Sequence, residues 1–293
     1  MERDQPFVSV IVPVWNGSSC IADCLRSLEA QSYPKARYEI IVVDNGSTDS
    51  TRDIVGGFES VILMHESQPG SYAARNLGLS RARGSYVALT DADCRADPNW
   101  LRNGMEAAFQ NANAGVLAGQ IRLETDNMPG SGACTAFEEI FSFNQEKNIS
   151  NGGSVTANWF SPTALLREFG GFRADLKSGG DFELARRLAA GGHPIVFARE
   201  AVVYHPARAT YFQLAAKARR VIGGQMARGD KGRGFGWLWR AIKTNGSRLR
   251  TIWRAADRTL VMKLRLSLLV FGLLGATLLE VLLVALGAEP KRA

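Results

Sequence analysis

Residues 86–101 read YVALTDADCRADPNWL, an apolar run leading into Asp91 and Asp93, two carboxylates one residue apart. On an extended segment, residues i and i+2 point to the same side. Such a pair offers oxygen ligands to a hard divalent cation, Mg2+ or Mn2+. One carboxylate would touch the ion while the other orients a sugar hydroxyl or a metal-bound water. Ala92 between them is too small to block an approaching ligand. Acid pairs are also common in polar turns, so the spacing alone leaves a plain turn open.

The elements that must deliver this pair follow from hydrophobic patterning. Apolar runs at 7–14, 38–44, 60–66, 85–91 and 115–124 predict buried strands. Residues 18–31, 70–82 and 97–111 predict helices, the last opened by Asp97 as a cap before Pro98. Ser47 and Thr48, after the Asn45-Gly46 turn, are good caps for another. Residues 125–160, rich in Gly, Ser and Asn, carry no clear period. Beyond them come a helix over 179–192 stopped by Gly191-Gly192, strand-like runs over 193–205 and a helix over 209–226. Strands alternating with helices imply an α/β fold with a mostly parallel sheet. Ligands of such sheets bind at the carboxyl ends of the strands. Pro13, Val14, Trp15 and Asn16, then Asp44, then Asp91, Ala92 and Asp93 all fall at those ends.

A dinucleotide-binding Rossmann unit would place Asp44 on a ribose, but it needs a glycine-rich turn after the first strand. Residues 13–20 read PVWNGSSC instead, and no Walker A sequence is present. A divalent cation is the remaining way to hold phosphate.

Cys20, Cys24, Cys94 and Cys134 form no CxxC pair and predict reduced thiols in a cytosolic setting. The N-terminal apolar stretch is short and preceded by acids, which does not predict a signal peptide. Residues 1–204 hold 18 Lys and Arg against 24 Asp and Glu, whereas residues 205–265 hold 15 against Asp230 and Asp257 alone. This acidic body with a basic collar favours contact with anionic lipid over nucleic acid, because residues 266–287 follow as a nearly unbroken apolar run with one charge, Glu280. A helix of that length reaches roughly 33 Å, enough to cross a bilayer core. Glu280 is costly there and would face a partner helix. Arg248, Arg250, Arg254, Arg258, Lys263 and Arg265 precede the run and only Lys291 and Arg292 follow it, which predicts a main domain on the cytoplasmic face of the plasma (inner) membrane. Trp237, Trp239 and Trp253 among those cations suit an interfacial segment.

Four segments resemble the family 2 glycosyltransferases of the GT-A fold, of the bacterial membrane-associated kind: VSVIVPVWN (8–16), YEIIVVDNGSTDST (38–51), GSYAARNLGLSRARGSYVALTDADC (70–94) and GGFRADLKSGGDFELARRLAAGG (170–192). Their order and spacing span about residues 7–205. The resemblance implies a GT-A catalytic domain over 1–208, its nucleotide-binding part about 1–95 and its acceptor part about 96–208. A basic amphipathic helical segment would follow over 209–264, then a transmembrane or membrane-embedded helix over 265–288.

It also implies roles. Asp44 would bond the nucleobase, typically uracil, and Pro13, Val14 and Asn16 would shape the base and ribose pocket. Arg75, Asp91 and Ala92 would lie against the donor. Asp93 would bind Mn2+ or Mg2+, with Asp91 beside it and His205 as the other protein ligand. Asp181, at a helix N-terminus whose dipole favours a carboxylate, would be the general base that takes the acceptor's proton. Trp159 would be a sugar platform or core. The family often has Glu-Asp where this chain has Gly180-Asp181, and Asp-Asp where it has Asp44-Asn45. The implied activity is inverting transfer from a nucleoside-diphosphate sugar, UDP-sugar favoured, to a glycan or lipid-linked acceptor in cell-envelope synthesis. Membrane lipids are expected partners, a homo-oligomer is allowed and nucleic acid is not expected. A nucleotidyltransferase and a non-catalytic sugar-nucleotide-binding membrane subunit are the alternatives.

Overall fold

The computed structural model describes residues 5–125, 132–227 and 235–288. Lys291 and Arg292, and residues 228–234 of the basic segment, lie outside the described residues. The chain divides into two compact units: residues 1–124, 143–175 and 180–206, and residues 125–142, 176–179 and 207–293.

The first unit runs β1 (Val8–Val14), α1 (Ile21–Glu29), β2 (Tyr38–Asp44), α2 (Thr51–Gly56), β3 (Val61–His65), α3 (Ser71–Arg81), β4 (Tyr86–Thr90), β5 (Arg95–Ala96), α4 (Trp100–Gln110) and β6 (Val116–Glu124). The second unit interposes α5 (Gly132–Phe141). The first resumes with α6 (Gln145–Ser150), β7 (Asn158–Pro162), α7 (Thr163–Glu168), α8 (Gly180–Ala190) and β8 (Ile195–Pro206). One sheet of eight strands results, in the order β3-β2-β1-β4-β7-β6-β8-β5. β3, β2, β1 and β4 pair in parallel, as do β6 and β8. β7 is antiparallel to both β4 and β6, and β5 is antiparallel to β8.

Every residue of β1 and β2 is buried, as the unbroken apolar runs predict for strands covered on both faces. Each buried Val or Ile contributes about 1.5–3 kcal/mol. β7, which no period announces, opens on Asn158. Its side chain accepts from Trp100 Nε1 at 2.9 Å and donates to Gln120 O and Ala201 O, both at 2.8 Å. A buried amide thus replaces ladder bonds where the sheet changes direction. Trp159 is completely buried, so it belongs to the core and offers no sugar platform.

The remainder of the second unit is α9 (Tyr211–Ala227), α10 (Phe235–Arg254) and α11 (Leu260–Ala285). Its core joins Phe137 of α5, Leu214 of α9, Ile252 of α10 and Leu266, Leu269, Val270 and Leu273 of α11. α9 and α11 run parallel: Tyr211 Oη donates to Gly272 O at 2.9 Å, and Arg219 Nε meets Glu280 Oε2 at 2.7 Å. Glu280 therefore faces a partner helix, as its cost in an apolar run requires. Glu138 of α5, fully buried, accepts from Arg208 and Lys217 at 3.0 and 2.9 Å and from Ser142 Oγ at 2.7 Å.

Candidate active site

β1 and β2 end side by side, with Val14 opposite Asp44 and Asn45 N–H donating to Val14 O at 2.8 Å. Pro13 and Val14 close β1, and Asn16 follows with φ of 48°, a left-handed conformation that Asn tolerates. Two bonds hold it there. Asn16 N–H donates to Ser47 Oγ at 2.8 Å, and Thr48 N–H donates to Asn16 Oδ1 at 2.9 Å. Ser47 and Thr48 do not cap α2 as their types suggest, because Asn16 takes their polar atoms and Asp49 caps Thr51 N–H instead.

The Asp44 carboxylate is 1% exposed and accepts from Ser47 N–H at 3.1 Å, from Arg52 Nε at 2.6 Å and lies 3.3 Å from His65 Nδ1. Burial opposes its charge, but the bonds from Ser47 and Arg52 outweigh burial and hold it below the usual carboxylate range. The neighbouring Asn45 donates to Glu66 O and Gln68 O at 3.0 and 2.7 Å and accepts from Gly70 N–H at 2.6 Å. It therefore pins the loop that opens α3.

The acid pair is not extended. β4 stops at Thr90, and Cys94 N–H donates to Asp91 O at 3.0 Å, closing a turn over residues 91–94. The two carboxylates consequently find different partners. Asp91 Oδ1 accepts from Arg75 Nη2 at 2.5 Å. Asp93 Oδ2 lies 3.5 Å from His205 Nε2. Among the described residues, Asp93, Cys94 and His205 form a group whose ligand atoms all lie within 4.8 Å of one another, and Asp91 is not part of it. His205 is buried against the Phe143 ring, and its Nδ1 lies 2.8 Å from Pro206 O. A carbonyl can only accept, so that contact puts a proton on Nδ1, and Nε2 is the ring atom that points toward Asp93. The residues fit a cation: an imidazole nitrogen and a carboxylate, both common ligand types, converge at a strand end. Burial, then Asp91 and Asp93, push the Cys94 thiol well above its usual range.

Asp181 lies in the first turn of α8. Its Oδ1 accepts from Tyr72 Oη at 3.3 Å and from Phe182 N–H at 3.0 Å. Desolvation raises its pKa above the ordinary value, against the Phe182 N–H, Arg75 and Tyr72, which favour the charge. Burial therefore outweighs the helix terminus. Tyr72 Oη also accepts from Gly180 N–H at 2.9 Å. The Arg75 guanidinium lies 5.9 Å from the Tyr72 ring centroid. A continuous set, Asp91–Arg75–Tyr72–Asp181, thus joins the β4 end to α8. Arg75 is 4% exposed and its Nε is a buried donor with no hydrogen-bond partner among the described residues. Such a donor beside a strand-end carboxylate suits a polar ligand. Asp97 does not cap α4 as its place before Pro98 suggests: the helix begins at Trp100 after Asn99, and Asp97 accepts from Asn99 N–H at 3.0 Å in the turn ahead of it.

Sequence reasoning missed Tyr72. Its signal was available: α3 places Tyr72 and Arg75 three residues apart, on one helix face. Asn76 was missed too. It clamps Phe172 by exchanging bonds with its N–H and C=O at 2.8 and 2.7 Å, which fixes the chain leading to α8.

A mixed α/β sheet carrying these acids at its strand ends is the arrangement of the GT-A glycosyltransferases. The chain belongs to that class through its sequence: it is a member of the glycosyl transferase family 2, whose profile matches residues 9–169. It is 34% identical to the glycosyltransferase AglE of Haloferax volcanii, over 77% of this chain and 75% of that one. It is 35% identical to the teichuronic acid biosynthesis glycosyltransferase TuaG, described as putative, of Bacillus subtilis, over 44% of this chain and 52% of that one. A mannosyltransferase from Pyrobaculum calidifontis, solved with GDP-Man and Mn2+, shares the fold with a TM-score of 0.63 at 19% identity, over 94% of this chain and 87% of that one. S. aureus TarS 1–349 with UDP-GlcNAc does so with a TM-score of 0.55 at 23% identity, over 74% and 67%. The protein is a glycosyltransferase, which sets aside the nucleotidyltransferase and non-catalytic alternatives.

Proposed function

We propose that the protein transfers a sugar, with inversion, from a nucleoside-diphosphate sugar to a hydroxyl of a glycan or lipid-linked acceptor of the cell envelope. The observation that carries the reading is the approach of Asp93 Oδ2 to His205 Nε2 at 3.5 Å, taken with a carboxylate, Asp181, that desolvation makes more basic. Asp93 and His205 would hold Mn2+ or Mg2+, which when bound offsets the charge of the departing diphosphate. Asp91, positioned by Arg75, and Ala92 would contact the donor. Pro13, Val14 and Asn16 would line the base and ribose pocket, with the Asp44 network behind them. Asp181 would take the acceptor's proton as its oxygen bonds to the anomeric carbon. The bond from that carbon to the diphosphate oxygen breaks, and the nucleoside diphosphate leaves with the electron pair. Direct displacement inverts the anomeric centre.

Related proteins of this fold hold UDP-GlcNAc in one case and GDP-Man with Mn2+ in another. The test is therefore nucleoside-diphosphate release from a panel of UDP- and GDP-sugars with Mn2+ or Mg2+, UDP-sugars being favoured. Asp181→Asn should bind donor normally and lose transfer. Equal turnover by Asp181→Asn and wild type would remove Asp181 from the role of base.

α11 supports a membrane-embedded reading of the second unit. It has 26 residues and is long and apolar enough to cross a membrane. Leu264, Leu268, Phe271, Leu279 and Leu282 are exposed along it. On α10 the exposed face is split lengthwise. Trp239, Ile242 and Trp253 form an apolar band, and Arg240, Lys243, Arg250 and Arg254 a cationic band beside it. Such a helix suits the surface of an anionic leaflet, with cations extended to the headgroups. We place the catalytic unit on the cytoplasmic face. Flotation with anionic vesicles tests it: full-length protein should rise with the lipid, and Trp239→Ser/Trp253→Ser should do so less.

A further inference from the structure

β5 is a strand of two residues, too short to matter for stability, yet its register is informative. It pairs antiparallel to β8, with Arg95 opposite Tyr204 and Ala96 opposite Val203. One step beyond that ladder Cys94 stands opposite His205. The turn closed by Cys94 N–H and Asp91 O brings Asp93 to the same place. The thiol is thus delivered to the imidazole by the sheet itself.

We propose that Cys94 Sγ is a third protein ligand of the cation held by Asp93 and His205, and that the site therefore binds a borderline ion such as Co2+ or Zn2+ more tightly than Mg2+. The inference rests on the cation site of the preceding subsection and adds to it the thiol and the class of ion. Cys94 Sγ lies 3.9 Å from Asp93 Oδ1, and Asp93 Oδ2 lies 3.5 Å from His205 Nε2. A metal bonded to sulfur at about 2.3 Å and to nitrogen and oxygen at about 2.0–2.2 Å sets its ligands roughly 3.4–3.6 Å apart in a tetrahedron. Those two separations lie within a few tenths of an ångström of that spacing, and the third, Cys94 Sγ to His205 Nε2, is within 4.8 Å. Pro206 O also accepts from Nδ1 and orients the imidazole with Nε2 toward Asp93, the usual support of a ligating histidine. Cys94 is a free thiol, buried with the core. On binding the ion, the thiol releases its proton to water and the sulfur lone pair forms the metal bond. Mg2+ demands hard oxygen ligands, whereas thiolate and imidazole favour later divalent ions.

The test uses the full-length protein and Co2+ alone, with no sugar nucleotide. Wild type should bind one Co2+ and give a near-ultraviolet thiolate-to-cobalt charge-transfer band together with visible bands. Millimolar Mg2+ should fail to displace the ion. Cys94→Ser should lose the charge-transfer band while still binding Co2+, with affinity reduced by roughly tenfold or more. Bound cobalt without a charge-transfer band in wild type overturns the thiol ligand and leaves Asp93 and His205 standing. Absence of cobalt binding overturns both. A band that persists in folded Cys94→Ser assigns it to another cysteine and overturns the proposal. The wild-type spectrum alone decides between the first two outcomes, so the conclusion survives a variant that fails to fold.

Discussion

The guanidinium of Arg75 donates to the carboxylate of Asp91 at 2.5 Å from a position that is almost wholly buried. A helix residue and a strand-end residue sixteen positions apart in sequence are thereby one charged unit. The Nε of Arg75 adds a buried donor without a partner among the described residues. Arg75→Met removes both, and a hydrogen bond to a charged group is worth about 1.5–3 kcal/mol. The donor KM should rise roughly 10–100-fold. Arg75→Lys should recover little of it, because an ammonium cannot reproduce the planar fork. Initial-rate kinetics with varied donor read this directly, and an unchanged KM in Arg75→Met would detach Arg75 from the donor.

The acid side of the pH profile should report Asp181. Its pKa is raised, so the ionised base is lost on acidification at a pH above the ordinary Asp value of about 3.9. Tyr72 donates to the ionised form. Tyr72→Phe should therefore move the acid limb of kcat further up, by roughly half a unit to one unit, the net worth of one hydrogen bond. The plateau at higher pH should change little. A limb that stays put while kcat falls at every pH would make Tyr72 a purely structural residue.

Gly180 packs against the face of that tyrosine: a Cβ built on it would meet Tyr72 Cε2 at 2.8 Å. Gly180→Ala should push the ring away from Asp181 and reproduce the pH effect of Tyr72→Phe, with a loss of about 1–3 kcal/mol in stability from overpacking. In a Tyr72→Ala background, which removes the ring, Gly180→Ala should cost little further stability. Thermal melts of the single and double variants separate the two cases, and additive losses would break the coupling.

Glu138 should carry stability in the second unit. The pKa of its carboxyl is lowered to about 2: burial opposes the charge, and Lys217 and Arg208 overcome it. A depressed carboxyl stabilises the fold fully above its unfolded value near 4.5 and loses that contribution as pH falls toward 2. Glu138→Gln leaves two cations uncompensated and should cost roughly 3 kcal/mol near neutral pH, the low end for such pairs because both cations keep some access to water. The gap in Tm between wild type and variant should close between pH 4.5 and 2. A pH-independent gap would assign the loss to packing.

The alternation of β1, β2, β3 and β4 with their helices was legible because buried parallel strands are continuous apolar runs. β7 was not, since its key residue is a buried amide whose partners are backbone atoms far away in sequence. Asp91 and Asp93 were legible as a pair but not as two separate arms, because the turn that divides them is closed by a single backbone bond. Asp181 was read as a carboxylate favoured by a helix terminus; the desolvation that raises its pKa comes from packing that no local pattern announces. Tyr72 was hidden for the same reason, being 109 residues from the carboxylate it touches.

The parallel pairing of α9 with α11 has a consequence for synthesis. Tyr211 with Gly272 and Arg219 with Glu280 are each separated by 61 positions, so one offset fixes both contacts. During translation Arg219 leaves the ribosome well before Glu280, and at about 5–20 residues per second the interval is several seconds. The apolar helix is therefore born after the cation that neutralises its single acid. Its carboxylate has a docking point waiting, and the same offset gives a growing chain a way to count its register.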